Sequence, residues 1–70
     1  MSDQYDLAQL GRIIEIHGGV ARVDLGGGII VKANIALSEP KIDDYVLVHA
    51  GYVLKVVDMK EAKRMLALWE

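Results

Sequence analysis

The chain has no cysteine at all and a single proline, Pro40. Without cysteine there is no disulfide framework, no thiolate nucleophile and no thiolate metal ligand. No excess of positive charge is present either: Lys+Arg 8 against Asp+Glu 10 gives a formal charge of -2. That balance argues against nucleic acid, because phosphate binding asks for a net basic face. Apolar runs of ~18 residues are missing, so no helix is expected to span a membrane. Met1–Asp6 lacks the basic and apolar regions of a signal peptide, which makes a cytoplasmic domain the expectation. A catalytic constellation is missing too. Ser38 has no histidine adjacent in sequence, and His17 and His49 lack metal-site spacing. The expectation is a protein that is not an enzyme and takes no cofactor.

What is present is a short, apolar, glycine-punctuated chain of 70 residues with 53% hydrophobic content. Residues 1–70 read as one domain, with an N-terminal segment over 1–10, a barrel over 11–57 and a helix over 58–70. Such a core is marginal. Apolar burial at ~25 cal/mol per Å² nearly cancels an ordering cost of ~1.5 kcal/mol per residue. Lacking the usual staples, the chain has a physical reason to lean on a partner.

From Gly11 the pattern is strand-like. Ile14 and Ile16 are expected on one face of the first strand and Glu15 on the other. Gly18-Gly19 supplies the positive φ of a tight hairpin turn. Ala21, Val23 and Leu25 then alternate inward with Arg22 and Asp24 outward. Gly26-Gly27-Gly28 reads as the next turn, since neither a helix N-terminus nor a Lys-Ser/Thr follows to make a phosphate cradle. Ile29, Val31, Ala33 and Ile35 form the inward face of a third strand, with Lys32 and Asn34 outward. A connection broken by Pro40 leads to a fourth strand over Tyr45–Ala50, and Tyr52–Val57 reads as a fifth strand or as the continuation of a bent fourth.

Asp58-Met59-Lys60-Glu61 resembles a capping box, and Met59, Ala62, Met65, Leu66 and Trp69 follow at helical spacing. The spacing predicts a helix from Met59 that buries Met65, Leu66 and Trp69 against the barrel. The class is mainly β: a small, five-stranded antiparallel barrel with a C-terminal α-helix. Periodicity fits both an oligonucleotide-binding-type (OB) barrel and an SH3-like one.

Three segments narrow this further. Gly11–Ile16, Ala21–Gly27 and Asp44–Tyr52, the last with His49 followed by Ala50, Gly51 and an aromatic, resemble the HypC/HupF/HybG family of hydrogenase maturation chaperones. Glu61, Ala62 and Leu66 also fit. The resemblance implies an OB-like barrel and a protein that docks without catalysing turnover. It implies two partners, a HypD-like iron–sulfur maturation protein and the precursor of a nickel–iron hydrogenase large subunit, and assistance in delivering iron that carries cyanide and carbonyl ligands. Partner contacts would fall on the N-terminal strand region, here Asp6, Leu7, Leu10, Gly11 and Ile13, and beside His49.

The N-terminus departs from the family, which begins Met-Cys with a Pro-Gly a few residues on. Aligned on Gly11, Asp6 takes the cysteine position and Leu10 the proline position, while Leu7 and Ala8 agree with common family residues. A carboxylate is a hard ligand and does not imitate a soft thiolate toward low-valent iron. The barrel carries over on this alignment, and the iron role is left open.

His49 reads either as a metal ligand or hydrogen-bond partner beside an iron site, or as a strand histidine satisfied by backbone or water. Asp6 reads either as an oxygen ligand or a partner for His49, or as a solvated terminal residue. His17, before its Gly-Gly turn, is expected in solvent. Two functions follow. One is a HypC-like accessory chaperone in metalloenzyme assembly. The other is an OB-fold binding module for another protein or for single-stranded nucleic acid. Basic clustering on one barrel face speaks for the second, and an apolar groove around the Asp6 terminus and His49 for the first.

Overall fold

The computed structural model describes residues 8–69, with side chains through Leu66. Strands β1 (Gln9–His17), β2 (Val20–Gly26), β3 (Ile29–Asn34), β4 (Tyr45–His49) and β5 (Tyr52–Val57) precede the helix α1 (Met59–Trp69). β1 thus begins two residues ahead of Gly11. The strands close into a barrel in the order β1-β2-β3-β5-β4, with β4 returning to pair with β1. That order is the five-stranded Greek key of an OB-type barrel, which decides between the two architectures the periodicity allowed.

Tight turns set the hairpins. Gly18 and Gly19 both have positive φ, 55° and 86°, as a two-residue primed turn between right-twisted strands requires. The β4–β5 hairpin uses the same geometry at Ala50 and Gly51, with φ of 53° and 84°, so Ala50 holds a left-handed conformation that costs an L-residue free energy.

The barrel is filled by β-branched and small side chains: Ile13, Ala21, Val23, Ala33, Val46, Val48 and Val53, with Ile16, Leu25, Val31 and Ile35 packed around them. Inward alternation along β2 is as the sequence indicates. In β1 it is not. Ile13 is the fully buried residue and Ile14 is only half-buried, because a register shift between Ile13 and Glu15 inserts a bulge that resets the alternation before Ile16. Ile29 is also not inward. A second shift, between Asp24 and Gly26, leaves it 57% exposed at the start of β3.

The barrel is not antiparallel throughout. β3 meets β5 in parallel, at Asn34↔Tyr52, while every other pair is antiparallel. Parity requires this. A closed ring with an odd number of strands cannot alternate direction all the way round.

At the start of α1, Asp58 Oδ1 accepts a hydrogen bond from the Glu61 backbone N–H at 2.7 Å, the N-cap interaction the sequence indicates. Lys55 Nζ lies 3.7 Å from Glu61 Oε2 and ties the first turn back to β5. The buried face of the helix differs from the expected one. Ala62 is fully buried, Met65 half-buried, and Met59 and Leu66 are exposed, Leu66 at 45%. The Trp69 side chain lies outside the described ones. Val57, 3% exposed, pairs with Tyr45 and does not belong to the interior cluster. Among the described residues no helix is long and apolar enough to cross a membrane.

Candidate functional site

Paired residues on neighbouring strands share a face of the sheet. The register Leu10↔Leu47 and Arg12↔Tyr45 therefore sets these four side chains on the outer face of the β1–β4 pair. His49, two residues past Leu47, falls on that face too, ~7 Å further along the strand. The backbone continues this pairing beyond β4. Ile13 N–H donates to the Asp44 carbonyl at 2.9 Å, and Asp43 N–H donates to the Ile13 carbonyl at 2.8 Å. Asp43, at φ 77°, is thereby held where its carboxylate accepts a 3.0 Å hydrogen bond from Arg12 Nη1.

Beside Arg12 opens a cleft of about 220 Å³ between β1, the end of β2, the start of β4 and α1. Leu10, Leu25, Tyr45 and Leu66 give it apolar walls, Gly11 a backbone surface, and Arg12 and Asp24 a charged rim. Leu66 stands in this lining, which accounts for its exposure: the helix holds it at the cleft rather than pressing it into the barrel.

The expected contact residues separate on this geometry. Leu10 and Gly11 line the cleft. Ile13 does not present a surface. It is 0% exposed inside the barrel, because the bulge at Ile14 turns it inward, and it leaves the contact set. Asp6 and Leu7 lie outside the described residues. His49 is half-buried and does not line the cleft. Its Nδ1 is buried with no hydrogen-bond partner. Arg12, Leu25 and Tyr45 line the cleft as well, and the sequence pattern singles out none of them as a contact residue. Arg12 and Tyr45 are joined only by cross-strand register, which no local pattern announces.

A second groove of about 400 Å³ lies on the outer face of β1, β2 and β3. Glu15 Oε2 is 2.6 Å from His17 Nε2, and Glu15 Oε1 is 3.5 Å from Arg22 Nη1. His17 is solvent-exposed, as expected before its turn. The hydrogen bond with His17, the largest cause, holds the Glu15 carboxyl below its ordinary range together with the charges of His17 and Arg22, against the opposing effect of desolvation. Lys32 stands directly opposite Arg22. Basic residues do cluster on this face, with one carboxylate among them. Among the described residues no three His, Cys, Asp or Glu side chains come together as a metal-binding group.

The sequence matches the HupF/HypC family over residues 7–69. It is 39% identical over 49 residues to a protein named hydrogenase maturation factor HypC from Rhizobium leguminosarum bv. viciae, a match covering 70% of this chain and 65% of that protein. It is 40% identical over 58 residues to a protein of the same name from Azotobacter chroococcum mcd 1, covering 81% and 69% of the two. The matched region is thus just under two thirds of the Rhizobium relative's length. With every described residue inside the family match, this protein belongs to the HupF/HypC family.

Proposed function

We propose that the chain is a maturation chaperone for a nickel–iron hydrogenase, acting in the cytoplasm through protein contacts. In this reading it docks on a HypD-like maturation protein, on the precursor of a hydrogenase large subunit, or on each in turn. The observation that carries it is the cleft beside β1. Leu10, Tyr45 and half-exposed Leu66 offer an apolar seat, and Arg12, braced by Asp43, offers a donor at its edge. Desolvated apolar anchors with an arginine beside them are the usual centre of a binding surface. A standard-size contact of ~1,200–2,000 Å² fits a domain this small.

The iron of the assembly step is cargo in this reading. The chain brings no thiolate to it, so a subunit that docks is one that leaves the holding of iron to its partner. Affinity capture of the tagged chain from its host, followed by mass spectrometry and metal analysis, tests both points. A maturation protein or large-subunit precursor should be enriched, and Leu10→Asp should remove it. Enrichment of neither, or binding unchanged by Leu10→Asp in a folded variant, would overturn the reading in favour of an unrelated OB-type binding module.

A further inference from the structure

β3 is paired along its whole length on one side and almost nowhere on the other. Against β2 its ladder runs from Ile29 to Asn34. Against β5 it makes one pair, at Asn34. Among the described residues no ladder partner lies beside Ile29–Ala33 on that edge, and no turn or loop backbone hydrogen bond reaches it. Over these five residues, a length close to that of an ordinary paired strand, the N–H and C=O groups that point away from β2, those of alternate residues, are unshared. The edge is also apolar: Ile29 is 57% and Ile30 45% exposed. Lys32 is its single charged residue.

The side chains say what would sit there. Ile30, opposite Asp24, and Lys32, opposite Arg22, share the outer face of β3. Like charges directly opposite each other repel. Arg22 is relieved by Glu15, but among the described residues Lys32 has no carboxylate within ion-pair distance. An added strand that brings one carboxylate to Lys32 relieves the repulsion and fills the open backbone positions together. We propose that the free edge of β3 is a docking site for an extended, acidic segment of a partner protein, bound by β-strand addition. The recognised pattern is an apolar residue over Ile30 and an Asp or Glu two positions away over Lys32, since residues two apart share a face.

A second copy of this chain fits less well, because joining two β3 edges sets one Arg22–Lys32 pair near another. Single-stranded nucleic acid fits less well too. Its backbone cannot continue a peptide ladder, and a chain of net charge -2 with two opposed cations here is a poor phosphate track. This surface is distinct from the cleft beside Leu10, so its fate is independent of the chaperone reading.

The test is an NMR titration of the full chain, 15N-labelled. The probe is an acetylated and amidated heptapeptide with isoleucine and glutamate two positions apart in a threonine background. Amide shifts and slowed hydrogen exchange should concentrate at Ile29–Asn34. Lys32→Glu, at an exposed position, should weaken binding about tenfold or more. Lysine in place of the peptide's glutamate, or N-methylation of its alternate amides, should abolish it. The proposal is overturned by no shift up to millimolar peptide, by shifts at the Leu10 cleft instead, or by equal binding of the N-methylated peptide. Preferential binding of oligothymidylate to the same amides overturns it as well, as does a concentration-dependent dimer that the peptide fails to dissociate.

Discussion

Gly11 sits so close to Val23 that a Cβ added to it would overlap the Val23 Cγ1 methyl and stand 2.9 Å from Leu25 Cδ2. Glycine here serves close approach of backbone to side chain, where β1 is clasped between β2 and β4. Val23 is fully buried and cannot swing away. Gly11→Ala should therefore destabilise the fold by ~1–3 kcal/mol through overpacking. For a domain of this size that lowers the melting midpoint by ~4–8 °C per kcal/mol, measurable by circular dichroism. A loss under ~0.5 kcal/mol would mean that β1 shifts outward at little cost.

Asp58 closes the barrel and opens the helix. Its carboxylate accepts the Glu61 N–H at 2.7 Å, satisfying a donor that the first helical turn leaves without an intrahelical acceptor. Asp58→Ala should cost ~0.5–2 kcal/mol, and Asp58→Asn, which keeps an acceptor, much less. Hydrogen exchange should accelerate selectively in α1. Uniform acceleration across the barrel would mean instead that the helix and barrel unfold as one unit.

Glu15 links pH to the outer face of β1 and β2. A carboxyl held below its ordinary range stabilises the folded chain above that range, and the contribution is lost as pH falls through the folded-state value. Because the group is open to solvent, the effect is best read on its own titration. Carbon-detected NMR of the Glu15 carboxyl should show its midpoint rising in His17→Ala, which removes the leading cause, and rising less in Arg22→Ala. The reverse order would show the arginine to be the dominant partner.

These residues also show what a sequence of this kind makes legible. The Gly18-Gly19 turn, the inward alternation of Ala21 and Val23, the bounds of β5 and the cap at Asp58 could all be read, because each is settled within a few neighbouring residues. The bulge at Ile14, the outward turn of Ile29 and the parallel closure at Asn34↔Tyr52 could not, since strand partners far off in the chain decide them. Leu66 shows the same limit on a helix. It belongs to the apolar stripe by spacing, yet the barrel buries only as far as Ala62 and leaves Leu66 at a cleft. The candidate site divided in the same way: Gly11 and Arg12 stand in one recognisable segment and Tyr45 in another, but that Arg12 and Tyr45 meet is decided only by register.

His49 gives the sharpest separation of stability from function. Its Nδ1 is buried without a hydrogen-bond partner, on the face of the β1–β4 pair that also carries Leu10. A buried polar atom left unpaired costs ~1–3 kcal/mol, and replacing it by an apolar group of similar shape recovers part of that cost. His49→Phe should therefore melt no lower than the parent protein, and by the same reasoning up to ~1 kcal/mol more stably. If the unpaired nitrogen is kept for a partner's donor or acceptor, the same variant should be captured less well with the partner proposed to dock at Leu10. Destabilisation beyond ~1 kcal/mol would show that Nδ1 is satisfied within the folded chain, through a buried water for example. Unchanged capture would remove His49 from the docking surface and leave the cleft at Leu10, Tyr45 and Leu66 as its centre.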